Sequence, residues 1–288
     1  MAVSLSWYGV STFRLEVDDT VVFLDAYLDR VPGAPPVGLT AADVQRADYL
    51  LVGHAHFDHL ADAGTIAGNT GATLIANFES IRLAAAAGVP EDRLMPVSGG
   101  EPIALADDLR VRVFPGLHSC VWSGGMRAAD EPALGDDAVT HQQRRARMGG
   151  GGTLPPGLHS TRGDGGALGY LLETRHGSIW FSDTSGYWTG VIDGLRPDAA
   201  ILAVAGRGNI DGEPIQGSLA DFVGGQASLL RPRRVIYCHH DDWMPGVTRG
   251  RQDTAGVTRR IHELAGAAVD TVDPEYDTPM AILDNLPG

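Results

Sequence analysis

The chain has 288 residues, 43% of them hydrophobic. That is enough for one large domain or two small ones, and no apolar run approaches the ~18 residues of a membrane span. The net charge is −14 and all 22 basic side chains are Arg, with no Lys, so the basic face of a nucleic-acid binder is not expected. Two cysteines, Cys120 and Cys238, exclude a disulfide scaffold and fit a reducing cytoplasm.

The opening, "MAVSLSWYGVSTFRLEV", has no basic n-region followed by an apolar h-region, so no signal peptide is expected. It predicts strands instead. "SLSWYG", "TFRLEV" and "TVVFLDAYL" are rich in β-branched and aromatic residues, with Gly9 and Asp18-Asp19 as turn signals. A Pro/Gly-rich loop, residues 30–40, leads to a buried strand over 47–53. A helix over 79–88 stops at Gly88 with Pro90 beyond it. An alternating strand follows at 109–116. Residues 121–166 are Gly-, Pro- and Arg-rich and predict a long irregular insertion, partly helical around 137–147; such segments are usually functional or disordered. Strands resume at 168–174, 178–182 and 199–204. Helices over 218–230 and 253–265 and strands over 233–238 and 280–283 complete the order. The pattern predicts one layered α/β domain over 1–288, without a dividing linker or a short-period repeat.

The chemistry concentrates in "YLLVGHAHFDHLAD", residues 49–62. An apolar strand breaks at Gly53, and His54, His56, Asp58 and His59 follow within six positions. From the frequencies of His and Asp, chance would produce H-x-H-x-D-H on the order of once in a thousand such chains. A lone His reads as a solvated loop residue; this cluster reads as a metal site, since neutral imidazole and carboxylate suit zinc and related divalent ions. Other candidates stand just past the ends of other strands: Asp25, His118, Asp183 and the pair His239-His240. Taken singly, Asp25 is a turn or cap residue, His118 a core imidazole and Asp183 an Asx-turn residue. Four more strand ends carrying such groups point to a site, because a sheet holds groups rigid while the loop exposes them. His239 and His240 cannot both face one way in extended chain; His239 directly follows "VIYC" and is chosen as the ligand, with Asp241 and Asp242 as loop residues or supports of the ligands.

On these motifs the sequence resembles the metallo-β-lactamase-fold superfamily of metal-dependent hydrolases. The opening, W-x-G-x-x-x-F running into an Asp-ending strand, is similar to the ascorbate-6-phosphate lactonase-like and acylethanolamine phospholipase D-like subgroup. The resemblance implies a four-layer αββα sandwich and a site for two divalent ions. His54, His56 and His118 match the first set. Asp58, His59 and His239 match the second, and Asp183 matches the carboxylate that bridges them. Asp25 is expected behind the ligands, fixing one imidazole, with His240 in a similar outer position.

The spacing itself fits that role. Residues two apart in extended chain project to one side, so His54 and His56 can reach one ion. Asp58 and His59 lie where a helix would begin and can address another. Two ions ~3.5–4 Å apart lower the pKa of a shared water toward ~7, giving a bridging hydroxide for hydrolysis of a small ester, lactone or phosphodiester; Asp58 and His239 are the groups expected to matter most for turnover. Zn²⁺ is favoured by the His-rich set, with Mn²⁺ or Fe²⁺ as alternatives. A secreted β-lactamase, a flavin-linked di-iron oxidoreductase and a transfer-RNA-processing nuclease fit less well; the competing reading is a non-catalytic metal-binding regulatory protein. Cys120 and Cys238 are expected to be buried and not to coordinate metal. Trp122, Tyr187, Trp188 and Trp243 follow ligand positions and are expected to form an apolar rim, near Trp7 and Tyr8. The insertion is expected to act as a lid, with Arg127, Arg144, Arg145, Arg147 and Arg162 meeting an anionic group and glycines 149–152 as a hinge.

Overall fold

The computed structural model describes residues 3–120, 163–245, 248 and 250–287. One seven-stranded sheet joins β1 (Val3–Trp7), β2 (Phe13–Val17), β3 (Thr20–Leu24), β4 (Tyr49–Val52), β5 (Thr73–Ala76) and β6 (Leu94–Pro96) in that order, with β17 (Met280–Ala281) outside β1. A second joins β7 (Pro102–Ala106), β8 (Leu109–Pro115), β9 (Leu168–Thr174), β10 (Gly177–Ser182), β12 (Ala199–Ala203), β15 (Arg234–Cys238) and β16 (Asp270–Val272). Within the first sheet β1 to β3 form an antiparallel meander, and β3 to β6 run parallel. In the second, β7 to β10 are antiparallel, and β10, β12, β15 and β16 are parallel. A small sheet of β11 (Gly186–Tyr187), β13 (Asn209–Ile210) and β14 (Glu213–Pro214) lies apart from both.

Alternation along the strands builds the layers. In β3, Val22 and Leu24 join Leu15, Leu51, Val113, Tyr170, Phe181 and Ile236 in the core between the two sheets. Val21 and Phe23 face the other way, onto Ile66 and Ala67 of α2 (Ala63–Thr70) and Ala84 of α3 (Phe78–Ala86). On the second sheet Leu202, Val235 and Tyr237 meet Phe222 and Val223 of α5 (Leu219–Leu230) and Val257 and Ile261 of α6 (Ala255–Ala265). The order is helices, sheet, sheet, helices: the αββα sandwich. Strands buried on both faces read as continuous apolar runs, which is why "YLLV" and "AAILA" lack alternation in composition.

The predicted strands and helices in the described residues are found within a few positions of their expected bounds. The short β5, β6, β7, β11, β13, β14 and β16, helix α2 and the four-residue α4 (Thr189–Ile192) were not anticipated. Of the predicted insertion, residues 121–162 lie outside the described residues; so do Trp122, its five arginines and the proposed glycine hinge.

Candidate metal centre

The parallel strands β3, β4, β10 and β15 end on one side of the sandwich, and the chain after each carries a polar group. Past β4, Gly53 is needed because a Cβ there would lie 2.1 Å from Asp183 Oδ2. His54 and His56 then share a side as the i, i+2 spacing predicts, with His54 Nε2 3.0 Å from His56 Nδ1. The backbone turns at His56 into the one-turn α1 (Phe57–Leu60), which sends Asp58 and His59 in another direction. The β8–β9 connection contributes His118, whose ring lies 4.7 Å from those of both His54 and His56. Asp183 follows β10 and His239 follows β15.

Three overlapping groups of possible ligand atoms result: His54, His56 and His118; His54, His59 and Asp183; and Asp58, His59 and His239, with the atoms of each within 4.8 Å of one another. The first and third coincide with the two sets expected from the sequence. Asp183 lies between them, with Oδ2 2.6 Å from His54 Nδ1 and 3.4 Å from His59 Nδ1. Asp58 Oδ2 lies 3.5 Å from His59 Nε2 and 3.4 Å from His239 Nε2. The first set is the more open, since His56 and His118 are half-buried while Asp58, His59 and His239 are buried.

Burial lowers the pKa of His54, His56 and His118, with neighbouring imidazoles adding to the effect at His54 and His56. These rings therefore hold neutral nitrogen lone pairs at neutral pH. Burial opposes a charge on His59 too, but Asp58 and Asp25 outweigh it and hold the ring well above 6.5. Burial would raise the Asp58 carboxyl, yet His59 and the hydrogen bonds from His239 and His59 hold it well below 3.8. Burial raises Asp183. Its Oδ1 and His239 Nδ1 are buried without a hydrogen-bond partner. A buried oxygen so left costs about 1–3 kcal/mol, and a cation among these donors would relieve it. The residues present fit divalent metal.

Asp25 lies beside His59 and Gly53. Its Oδ1 accepts the Gly53 N–H at 2.8 Å; its Oδ2 accepts the Ser11 hydroxyl at 2.5 Å and lies 2.7 Å from His59 Nδ1. Burial pushes its carboxyl up to about 6, although His59 pulls it down. His240 turns away from the ligands: its Nε2 pairs with Asp273 at 2.8 Å and its ring stacks on Trp7 at 5.0 Å. Cys120 and Cys238 are buried and belong to none of the three groups.

The aromatic rim needs correction. Trp243 does border the ligands, its ring 5.5 Å from that of His239 and 5.9 Å from that of Phe57. Tyr187 instead packs on Phe222 in the outer helical layer, because β11 carries the chain away from Asp183. Trp188 caps α4 and is partly exposed near Gly212. Trp7 is fully buried between Phe13, Tyr276 and His240. Sequence reasoning missed Ser11 and Phe57. The serine had no distinguishing signal beyond its place in the first turn; Phe57, between two ligands on α1, could have been found from the motif itself.

Three non-glycine residues here have left-handed backbone: Val10 (φ 47°), Asp25 (φ 54°) and His239 (φ 63°). Each such residue costs about 1–3 kcal/mol and persists only where its surroundings over-determine it.

The β-lactamase superfamily domain model matches residues 20–240. The chain is 31% identical over 274 residues to a UPF0173 metal-dependent hydrolase of Pyrobaculum arsenaticum, covering 94% of this chain and 97% of that one. It is likewise 31% identical over 276 residues to one of Pyrobaculum calidifontis, with the same coverage. Among solved structures it is similar to Igni18, a metallo hydrolase of Ignicoccus hospitalis, with TM-score 0.62, 17% identity, and 96% and 97% of the two chains covered. An isothiocyanate hydrolase from Delia radicum gut bacteria gives TM-score 0.60 at 14% identity, covering 96% and 98%. Those structural likenesses concern the fold; together with the family match and the Pyrobaculum relatives they make this chain a metal-dependent hydrolase of the metallo-β-lactamase-fold superfamily.

Proposed function

We propose that the chain is a dinuclear hydrolase, a single domain over 1–288 that cleaves a small ester, lactone or phosphodiester. The observation that carries this reading is the convergence of seven side chains into two ligand sets with Asp183 between them. His54, His56 and His118 would hold one ion, and Asp58, His59 and His239 a second. Divalent ions supply Lewis acidity: they lower the pKa of a water from 15.7 toward ~7 and polarise a carbonyl or phosphoryl oxygen. The His-rich donors favour Zn²⁺, with Mn²⁺ and Fe²⁺ next.

The chain's own groups prepare the site. The three lowered imidazoles would hold an ion without first losing a proton. Asp25 and Ser11 fix the rotation of His59. Phe57 and Trp243 place apolar surface beside His56, Asp58 and His239, where an apolar part of a substrate can lie and water is displaced. The acidic, lysine-free composition argues against a polyanionic partner, and the two free cysteines fit a reducing cytoplasm.

The test is elemental analysis followed by a pooled screen of chromogenic esters, lactones and phosphodiesters on metal-reconstituted protein, beside Asp58→Ala. Two equivalents of metal and turnover that the variant abolishes are expected. A reproducible single equivalent would remove the two-ion form. Metal with no turnover on any class would favour the non-catalytic binding protein.

A further inference from the structure

His239 occupies a left-handed backbone conformation, uncommon for a non-glycine residue, and a contact from the first hairpin holds it. Its N–H donates to Val10 O at 2.6 Å. Val10 is itself left-handed, and for a β-branched residue that is a genuine outlier. Every polar group of this residue is engaged. Its carbonyl also accepts the Trp7 indole N–H at 3.0 Å, and its N–H donates to Asp241 Oδ1 at 3.0 Å. The other oxygen of Asp241 accepts from Arg30 Nη2 at 2.5 Å and from the Tyr276 hydroxyl at 2.9 Å. Both charged side chains are almost fully buried. The packing leaves no slack: a Cβ on Gly9 would fall 2.8 Å from Asp241 Oδ2 and 2.9 Å from Arg30 Nη1.

We propose that Asp241 is a positioning residue that, anchored by Arg30 and Tyr276, pins the Gly9–Val10 turn under His239 and so sets the aim of its imidazole at Asp58 and His59. The chain of contacts runs Arg30 and Tyr276 to Asp241, to the Val10 N–H, through its carbonyl to the His239 N–H. Asp241 touches none of the ligand side chains of the first set through a hydrogen bond among the described residues. Its removal therefore acts on one set and spares the other. A buried ion pair with a purely structural role would weaken both sets together, through the fold. The neighbouring Asp242 accepts from the Thr248 hydroxyl instead and serves as the control.

The proposal rests on the two-ion reading for its metal readout, so the test has a metal-free arm. Wild type, Asp241→Ala, Asp241→Asn and Asp242→Ala are titrated with Zn²⁺ against a chromophoric chelator, and exchange of the His239 amide is followed by NMR in the metal-free proteins. In Asp241→Ala one class of site should weaken about 10–100-fold, the usual loss when a ligand's support is removed, while the other keeps wild-type affinity. Its His239 amide should exchange at least about tenfold faster, equivalent to about 1.4 kcal/mol of lost protection. Asp241→Asn keeps an acceptor for Val10 but loses the charge facing Arg30, and should fall between wild type and Ala. Asp242→Ala should match wild type in both measurements. Wild-type zinc affinity and amide protection in folded Asp241→Ala overturn the proposal, and so does an equal loss of both classes. If the alanine variant does not fold, Asp241→Asn decides: selective weakening supports the role, and wild-type behaviour in both arms overturns it. If wild type binds one equivalent, the two-ion reading fails, and the amide exchange alone decides the role of Asp241.

Discussion

Replacing Asp25 by Asn separates the stability of the fold from the chemistry of the site. Both carboxylate oxygens of Asp25 accept: one from the Gly53 N–H, the other from the Ser11 hydroxyl, with His59 Nδ1 beside it. An amide offers one acceptor only. If its oxygen stays on Gly53, its NH₂ faces His59 Nδ1, which must then accept, so the ring, charged in the metal-free wild type, keeps its one remaining proton on Nε2. That nitrogen is the one aimed at Asp58. If the amide flips, NH₂ meets the Gly53 N–H and two donors oppose each other, at a cost of about 1–3 kcal/mol. Against this, burial pushes the Asp25 carboxyl from 3.8 up to about 6. Two pH units correspond to about 3 kcal/mol against the ionised form at neutral pH, which an uncharged amide escapes. The two effects are of similar size, so the metal-free variant should melt within a few degrees of wild type. Its zinc affinity should fall about 10–100-fold, because the favoured amide orientation places a proton where a ligand lone pair is needed. Thermal unfolding of metal-free protein and competition against a chromophoric chelator measure the two separately. Wild-type zinc affinity in a folded Asp25→Asn variant would refute the assignment of Asp25 as the group that fixes the His59 tautomer.

His239→Ala and His240→Ala should differ in kind. The first should lose one equivalent of metal with little change in melting, and the second should keep both equivalents but lose stability, since it removes the Asp273 pair and the Trp7 stack; equilibrium dialysis and calorimetry tell them apart, and the reverse pattern would exchange their roles. Zinc binding at pH 7 should release at least one proton, because Asp58 and Asp25 keep His59 charged in the metal-free protein. Titration calorimetry in two buffers of different ionisation enthalpy reads this directly, and zero release would contradict it. The same raised value makes His59 stabilising in the metal-free state. That contribution is fully present below pH 6.5 and is lost as the pH climbs through the folded-state value, so melting of metal-free protein should decline on the alkaline side.

What was legible in the sequence is what depends on local order. Strand ends and the H-x-H-x-D-H spacing singled out seven side chains that the fold brings into three adjoining groups, because side-chain direction in extended chain and the onset of α1 are set within a few residues. The choice of His239 over His240 rested on alternation in extended chain, but His239 is left-handed, so its direction is set by that turn of the backbone and not by alternation; His240 pairs with Asp273. Tyr187 left the expected rim for the opposite reason. Adjacency in sequence to Asp183 says nothing about where the next residues go once a new strand begins, and β11 takes Tyr187 into the layer of α5. Ser11, Arg30 and Tyr276 were invisible because their partners are remote in sequence: 48 residues separate Ser11 from His59, and 211 separate Arg30 from Asp241. A motif names the groups that could meet a metal. The aim of each group is set by backbone from other parts of the chain, and here the strained residues mark where. Val10, Asp25 and His239 are left-handed, and each has a contact that crosses between the first hairpin and a distant strand end. The first hairpin is thus part of the site although it supplies no ligand, which gives the short W-x-G-x-S stretch a physical reason: Trp7 and Val10 hold the turn, Gly9 admits the Arg30–Asp241 pair, and Ser11 reaches the carboxylate behind His59.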